Sequence, residues 1–369
     1  MKTKVAIIST IAACISLAVP PALRPQSLDE GIMLYNQGAR AYSHSAYRNE
    51  LPGAWEKAFS IFKTHSFKDQ RVVIAGNYLG SHFREQREYE KALEYYDWTL
   101  KIARIIDFKA HLILANIGNV HNRLGKYSLA LKSYTDALED FRESTDSADI
   151  GTRVGILVGI AYTHNELGHF KASLDMYQDI LSLLADKEES TLAYILNNIG
   201  LVYDNLGRLD EALTHYRKSL ELYEKLGFSG DSQKGNIADL YLADGRTEQA
   251  EAIYRELSQK IRSGKLHLAK GNYEGAVQYF MGALADDAES LDADFIFAEH
   301  VGLGIAYERL GKKKLAEEHF SKAIAVFNSI ARELPDGERA AFLTVKKFGF
   351  SRAEPLNALE RLKLVTDEE

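Results

Sequence analysis

The chain has 369 residues, is 46% hydrophobic and 26% charged, and holds six prolines, a composition ordinary for a soluble helical protein. Its net charge of −7 is spread in both signs along the sequence, so no basic stripe recommends nucleic acid as a partner. Cys14 is the single cysteine, which excludes an internal disulfide and leaves no thiol nucleophile beyond the N-terminal segment.

Residues 1–22 differ in kind from the rest. Lys2 and Lys4 make a positive start, and Val5 to Val19 is uncharged, mostly apolar and followed by Pro20-Pro21. This is the pattern of an export signal, to be set apart from the fold. Ser16 and Ala18 suit cleavage after Ala18, whereas Ile11-Ala12-Ala13-Cys14 resembles a bacterial lipoprotein box that would leave Cys14 lipidated. An uncleaved anchor is the third alternative, because about 20 apolar residues span a bilayer. The expected location is exported, periplasmic or secreted, with membrane attachment only through this segment.

Residues 27–67 are expected to form a divergent capping hairpin. Gly31, Met33, Leu34, Gly38 and Ala41 mark the apolar side of its first helix, and Trp55, Ala58, Phe59 and Phe62 that of its second. Pro52-Gly53 is placed in the joint between them.

Residues 68–332 repeat one unit, seen most clearly from Asn197 to Gly227. Ile199, Val202, Tyr203 and Leu206 give one apolar helical face, and Leu209, Ala212, Leu213, Tyr216 and Leu220 another. Gly207 marks the turn between them, and its equivalents are Arg87, Gly125, Gly168, Gly245, Gly271 and Gly311. Seven residues before each mark stands Gly or Ala (Gly80, Gly118, Ala161, Gly200, Ala238, Gly264, Gly304), and four before it a ring. Five after it comes Ala or Ser, and nine after it an aromatic: Tyr96, Tyr134, Tyr177, Tyr216, Tyr254, Phe280 and Phe320. Such a hairpin cannot bury both apolar faces alone and needs neighbours. The register resembles the tetratricopeptide repeat family over roughly residues 77–330. The resemblance implies an all-α, right-handed superhelical solenoid of stacked antiparallel helix hairpins, with about seven regular units and the divergent one. Against the family's period of about 34 residues, the marks step by 38, 43, 39, 38, 26 and 40. The short step from Gly245 to Gly271 suggests a clipped second helix.

Residues 333–369 form a tail. Pro335 ends a helix, Asp336 or Gly337 can begin another, and a last helix is expected over residues 351–364 with Leu356, Leu359, Leu362 and Leu364 on one side. The stretches RELPDGERAAFL and GFSRAEPLNALERL resemble the segment that joins repeat arrays to caspase-like CHAT peptidase domains. No His–Cys pair for such a peptidase can be assembled within these residues.

No HExxH, GxSxG or GxxxxGK[ST] motif occurs. His121, His164 and His267 occupy the ring position of the repeat, so they are expected to be packed rather than metal-ligating. No metal, cofactor or small-molecule substrate is therefore expected, and no catalysis.

The family resemblance implies a concave groove lined by the first helices, taking a protein or extended peptide. Nine, six and two residues before each mark fall on one helical stripe. That stripe carries Tyr78, Asn116, Asn119, Arg123, Asn198, Asn205, Asn236 and Asp239, and Arg84, Arg123 and Glu166 are the candidates for specificity. Asparagine is a mediocre helix former, yet Asn116, Asn198 and Asn236 share one position. A carboxamide both donates and accepts, so it can pair with a peptide backbone of any sequence. Bonding between neighbouring repeats would account for the recurrence equally well. The leading expectation is a non-catalytic interaction scaffold. The alternative is a regulatory subunit acting in trans on a CHAT-type peptidase through Phe342, Phe348 and the last helix.

Overall fold

A computed structural model describes residues 27–43, 51–142, 150–184, 189–257, 259–286, 292–332, 334 and 338–364. The export segment with Cys14, and Pro335 to Gly337, lie outside the described residues. Among the described residues no helix is long and apolar enough to cross a membrane. The chain divides into two compact units, residues 1–83 with 94–108, and residues 84–93 with 109–369.

The first unit contains helices α1 (Leu28–Ser43), α2 (Leu51–Thr64) and most of α3 (Gln70–Glu85) and α4 (Tyr89–Ile105). Trp55 locks α2 onto α1: it stacks on Tyr35 at 5.8 Å and donates from Nε1 to the Tyr35 carbonyl at 2.9 Å. Pro52 and Gly53 lie in the first turn of α2 rather than in the joint, since a proline's missing N–H costs nothing there. Met33, expected on the apolar side of α1, is 62% exposed.

The second unit holds α5 (His111–Arg123), α6 (Tyr127–Arg142), α7 (Ile150–Glu166), α8 (Phe170–Leu183), α9 (Glu189–Asn205) and α10 (Leu209–Lys225). It continues with α11 (Asp231–Ala243), α12 (Thr247–Leu257), α13 (Lys260–Ala269), α14 (Tyr273–Asp286), α15 (Ala293–Arg309) and α16 (Lys313–Ala331). The tail adds α17 (Arg339–Leu343), a two-stranded hairpin of β1 (Lys346–Lys347) and β2 (Phe350–Ser351), and α18 (Glu354–Leu364). The all-α class of stacked repeat hairpins is the class observed. The short step is shared between two elements, α12 with 11 residues and α13 with 10.

All seven turn marks have positive φ, Arg87 at 63° included. At Gly207 the turn closes by Arg208 N–H donating to the Tyr203 carbonyl at 2.9 Å, which satisfies a carbonyl the helix end leaves free. Arg87 bears the left-handed conformation without glycine, its guanidinium 4.6 Å from the centre of the Phe295 ring.

The small residue before each turn makes room for the aromatic after it. A Cβ added at Gly118, Gly200, Gly264 or Gly304 would sit 2.5–2.8 Å from the ring of Tyr134, Tyr216, Phe280 or Phe320. The same rings are covered by the next hairpin, since a Cβ at Gly159 or Gly302 would meet Tyr134 at 2.5 Å or Phe280 at 2.4 Å. One aromatic thus fills the seam between two first helices. A second ring pair staples three of the hairpins: Tyr203 with His215 at 5.2 Å, His267 with Tyr279 at 5.0 Å, and Tyr307 with His319 at 5.5 Å. The ring-position histidines accordingly pack. Burial lowers the His121 imidazole to about 4.

Candidate peptide-binding face

The stripe six residues before each turn mark proves to be where the repeat aromatic finds its partner. Tyr134 donates to Asn119 Oδ1 and Tyr254 to Asp239 Oδ1, both at 2.7 Å, and in the first unit Ser81 and Tyr96 share a bond of 2.9 Å. In the two middle hairpins this position holds Tyr162 and Leu201. There the hydroxyls of Tyr177 and Tyr216 are buried without a protein partner.

The asparagines link successive first helices. Asn116 accepts from Arg84 at 3.3 Å, Asn205 donates to Asn165 at 3.1 Å, and Asn236 donates to Asn197 at 3.1 Å. Asn236 also accepts from Arg262 at 3.3 Å. Asn198 is 4% exposed, and its Nδ2 has no protein partner. Repeat-to-repeat bonding therefore accounts for part of the asparagine recurrence. Tyr78 belongs to the first unit, where its ring meets Trp55 edge-on at 4.8 Å.

Arg123 at the end of α5 is solvent-exposed. Partial burial would lower its pKa, but the field of Tyr162, Asp292, Tyr89 and Tyr194 raises it. Tyr194 is itself 46% exposed. Asp239 lies deeper. Burial alone would raise its carboxyl, but Lys265 and Arg262, both ion-paired to it, hold it below the ordinary carboxylate range.

The tail hairpin occupies part of this face. The backbone N–H of Lys346 donates to Asn205 Oδ1 at 2.8 Å, and its Nζ donates to the Asp204 carbonyl at 2.9 Å. Lys347 Nζ bridges Glu166 at 2.5 Å and Asp294 at 2.9 Å. Arg352 donates to the Glu166 carbonyl at 2.7 Å, to Glu166 Oε2 at 2.9 Å and to the Tyr127 hydroxyl at 3.0 Å. Phe348 meets Phe295 at 4.8 Å, and Phe350 meets Phe280 at 6.2 Å. One seven-residue segment thus touches α7, α9, α14 and the start of α15.

Of the sequence candidates, Asn205 and Glu166 hold this hairpin, Asp239 and Asn236 lie in the ion cluster beside it, and Asn116 bonds Arg84. Asp204 and Asp294 were not singled out. Their signal is weak, because acidic residues near helix ends usually face solvent. The hairpin itself was missed: no element was expected over residues 346–350, and Ser351, expected to open the last helix, lies in β2 while that helix begins at Glu354. The available cue was Phe348-Gly349, a two-residue turn whose φ values of 51° and 78° suit a primed hairpin turn.

Residues 152–225 and 191–259 match the tetratricopeptide repeat family model. Photosystem I assembly protein Ycf3 of Rippkaea orientalis (strain PCC 8801 / RF-1) is 31% identical over 99 residues, which are 25% of this chain and 54% of that protein. The chain thus spans about half the length of the curated relative it matches. Among solved structures, a Rap protein complexed with Competence and Sporulation Factor superposes with a TM-score of 0.60 at 14% identity, over 84% of this chain and 100% of that one. The quorum sensor NprR from B. thuringiensis, in its apo form, gives 0.58 at 19% identity over 89% and 94%. NprR with its cognate peptide NprX gives 0.55 at 20% identity over 89% and 94%. At these identities the likeness shows the fold. Over residues 152–259 the chain thus matches the tetratricopeptide repeat family model, and the seven turn marks with their packing carry the same register along the array.

Proposed function

We propose that the protein is a non-catalytic interaction scaffold that binds an extended protein segment on the first-helix face of its second unit. One observation carries the reading: Asn205 already accepts a hydrogen bond from the backbone N–H of Lys346 at 2.8 Å. A carboxamide on the inner side of the array is thereby holding a chain segment by its main chain, as a peptide would be held. Two of the structural neighbours are described as complexes, with Competence and Sporulation Factor and with the peptide NprX. Arg123 and Tyr194, exposed on the same side, offer a partner an arginine and an aromatic, the residue types that dominate interface energetics.

The test is a peptide-array screen with the purified chain, followed by titration of the segments it captures. Arg123→Glu with Tyr194→Ala should weaken binding about ten- to a hundredfold, while Glu221→Lys on the exposed side of α10 should not. Equal binding by all three chains would overturn the reading. A tail acting in trans on a peptidase has less support, because Phe342 is fully buried within its own chain. Export remains part of the proposal, resting on Lys2, Lys4 and the apolar run to Val19. Residues 1–26 fused to a reporter should carry it out of the cytoplasm, and Cys14→Ser should leave it soluble. A fusion retained inside would contradict export.

A further inference from the structure

We infer that the part of this face between α7, α9 and α15 is a site for an extended basic–aromatic segment, and that the chain's own Lys346–Arg352 hairpin is its resident competitor. The inference rests on the scaffold reading and names the chemistry of the partner.

Every cation of the hairpin segment meets a carboxylate of the array. Lys346 pairs with Asp204 at 3.3 Å, Lys347 with Glu166 and Asp294, and Arg352 with Glu166. The aromatics between them face aromatics, Phe348 against Phe295 and Phe350 against Phe280. The same cations also donate to the Asp204 and Glu166 carbonyls and to the Tyr127 hydroxyl, and Asn205 takes the main chain of the segment. A face offering carboxylates, two rings and a carboxamide selects for positive charge, aromatic side chains and extended backbone together. The sequence Lys-Lys-Phe-Gly-Phe-Ser-Arg meets all three requirements.

The hairpin is also separable from what holds the tail in place. On one side Phe342 is fully buried with Tyr127, Leu167, Phe327 and Ile330. On the other Ala358 and Leu362 pack on Ala316 and Phe320. These apolar anchors supply the docking, whereas buried ion pairs lose in desolvation much of what they gain in attraction. The ion pairs of the hairpin between them therefore supply specificity at little net stability, which suits a contact that another segment of the same chemistry can replace. Tethered at both ends, it competes at an effective concentration on the order of millimolar.

The experiment uses a fluorescent peptide of residues 344–353 and its charge-reversed version, with Glu at the Lys and Arg positions. Both are titrated into the full chain and into a chain whose residues 346–351 are replaced by Gly-Ser repeats, with helical circular dichroism as the fold check. The basic peptide should bind the replaced chain at least tenfold more tightly than the unaltered chain, and the reversed peptide neither. Should the replaced chain fail to fold, Lys346→Ala/Phe348→Ala is titrated instead, with the same gain expected. A folded variant that takes both peptides alike, takes neither, or gains nothing over the unaltered chain overturns the inference. The Arg123→Glu/Tyr194→Ala result judges the scaffold reading separately, since neither residue contacts the hairpin segment through any bond described above.

Discussion

Gly200 shows how one missing side chain governs the packing of a whole repeat. A Cβ there would stand 2.6 Å from the Tyr216 ring, which is fully buried and has nowhere to turn. Gly200→Leu should therefore destabilise the chain by about 1–3 kcal/mol or more through overpacking, read as a lower urea midpoint. An unchanged midpoint would contradict the seam packing. The buried histidines make a second residue-scale expectation. Burial lowers His121 to about 4, and burial with the neighbouring His319 lowers His300 to about 4, against about 6.5 in an unfolded chain. Between those values the unfolded state binds the protons, so this stability is complete above about pH 6.5 and is lost as pH falls toward 4. Asp292, raised to about 6 by burial and by Asp294, works in the opposite direction between about pH 4 and pH 6. Urea midpoints at pH 7 and pH 4.5 should differ, and His121→Gln/His300→Gln should shrink the difference. A double variant with the full pH dependence would refute the assignment.

At the scale of elements, the tail hairpin is held by charge and the hairpins of the array by rings. Arg352→Ala would leave Glu166 buried with Lys347 as its remaining cation, and loss of a buried partner costs about 3–5 kcal/mol. Arg352→Met with Glu166→Gln should recover part of that loss, because both charges then disappear together. A double variant no better than Arg352→Ala would mean that the pair does not carry the contact. The array hairpins were legible in the sequence because each depends on local, repeated demands: a positive φ at the turn, a small residue at the crossing, a ring to fill it. Even Arg87 could be placed as a turn mark by register alone. The hairpin at residues 346–351 was not legible, because its two-residue strands are specified by partners in α7, α9 and α15. Nothing in their own periodicity announces them. The asparagines were legible as a pattern but not as a role, since a carboxamide that can hold a peptide can equally bond the next repeat, as Asn236 does to Asn197.

For the second unit as a whole, the first helices, the buried tail and the ion network form one construction. The last repeat and the tail reach back to earlier turns, as Ile330 beside Gly125 and Ala341 beside Gly168 show. A linear array would open repeat by repeat, because each hairpin touches only its neighbours. Contacts that skip repeats should couple their opening. The central claim is that the inner side of this array holds an extended main chain through a carboxamide, with the tail seated there. It is tested most directly by native-state hydrogen exchange at the Lys346 amide, whose bond goes to Asn205 rather than to the β1–β2 ladder. The account predicts protection like that of the neighbouring helices, falling at least tenfold, or about 1.4 kcal/mol, in Asn205→Ala with the helices still protected. Exchange of Lys346 in the unaltered chain at the rate of an unprotected amide would contradict it.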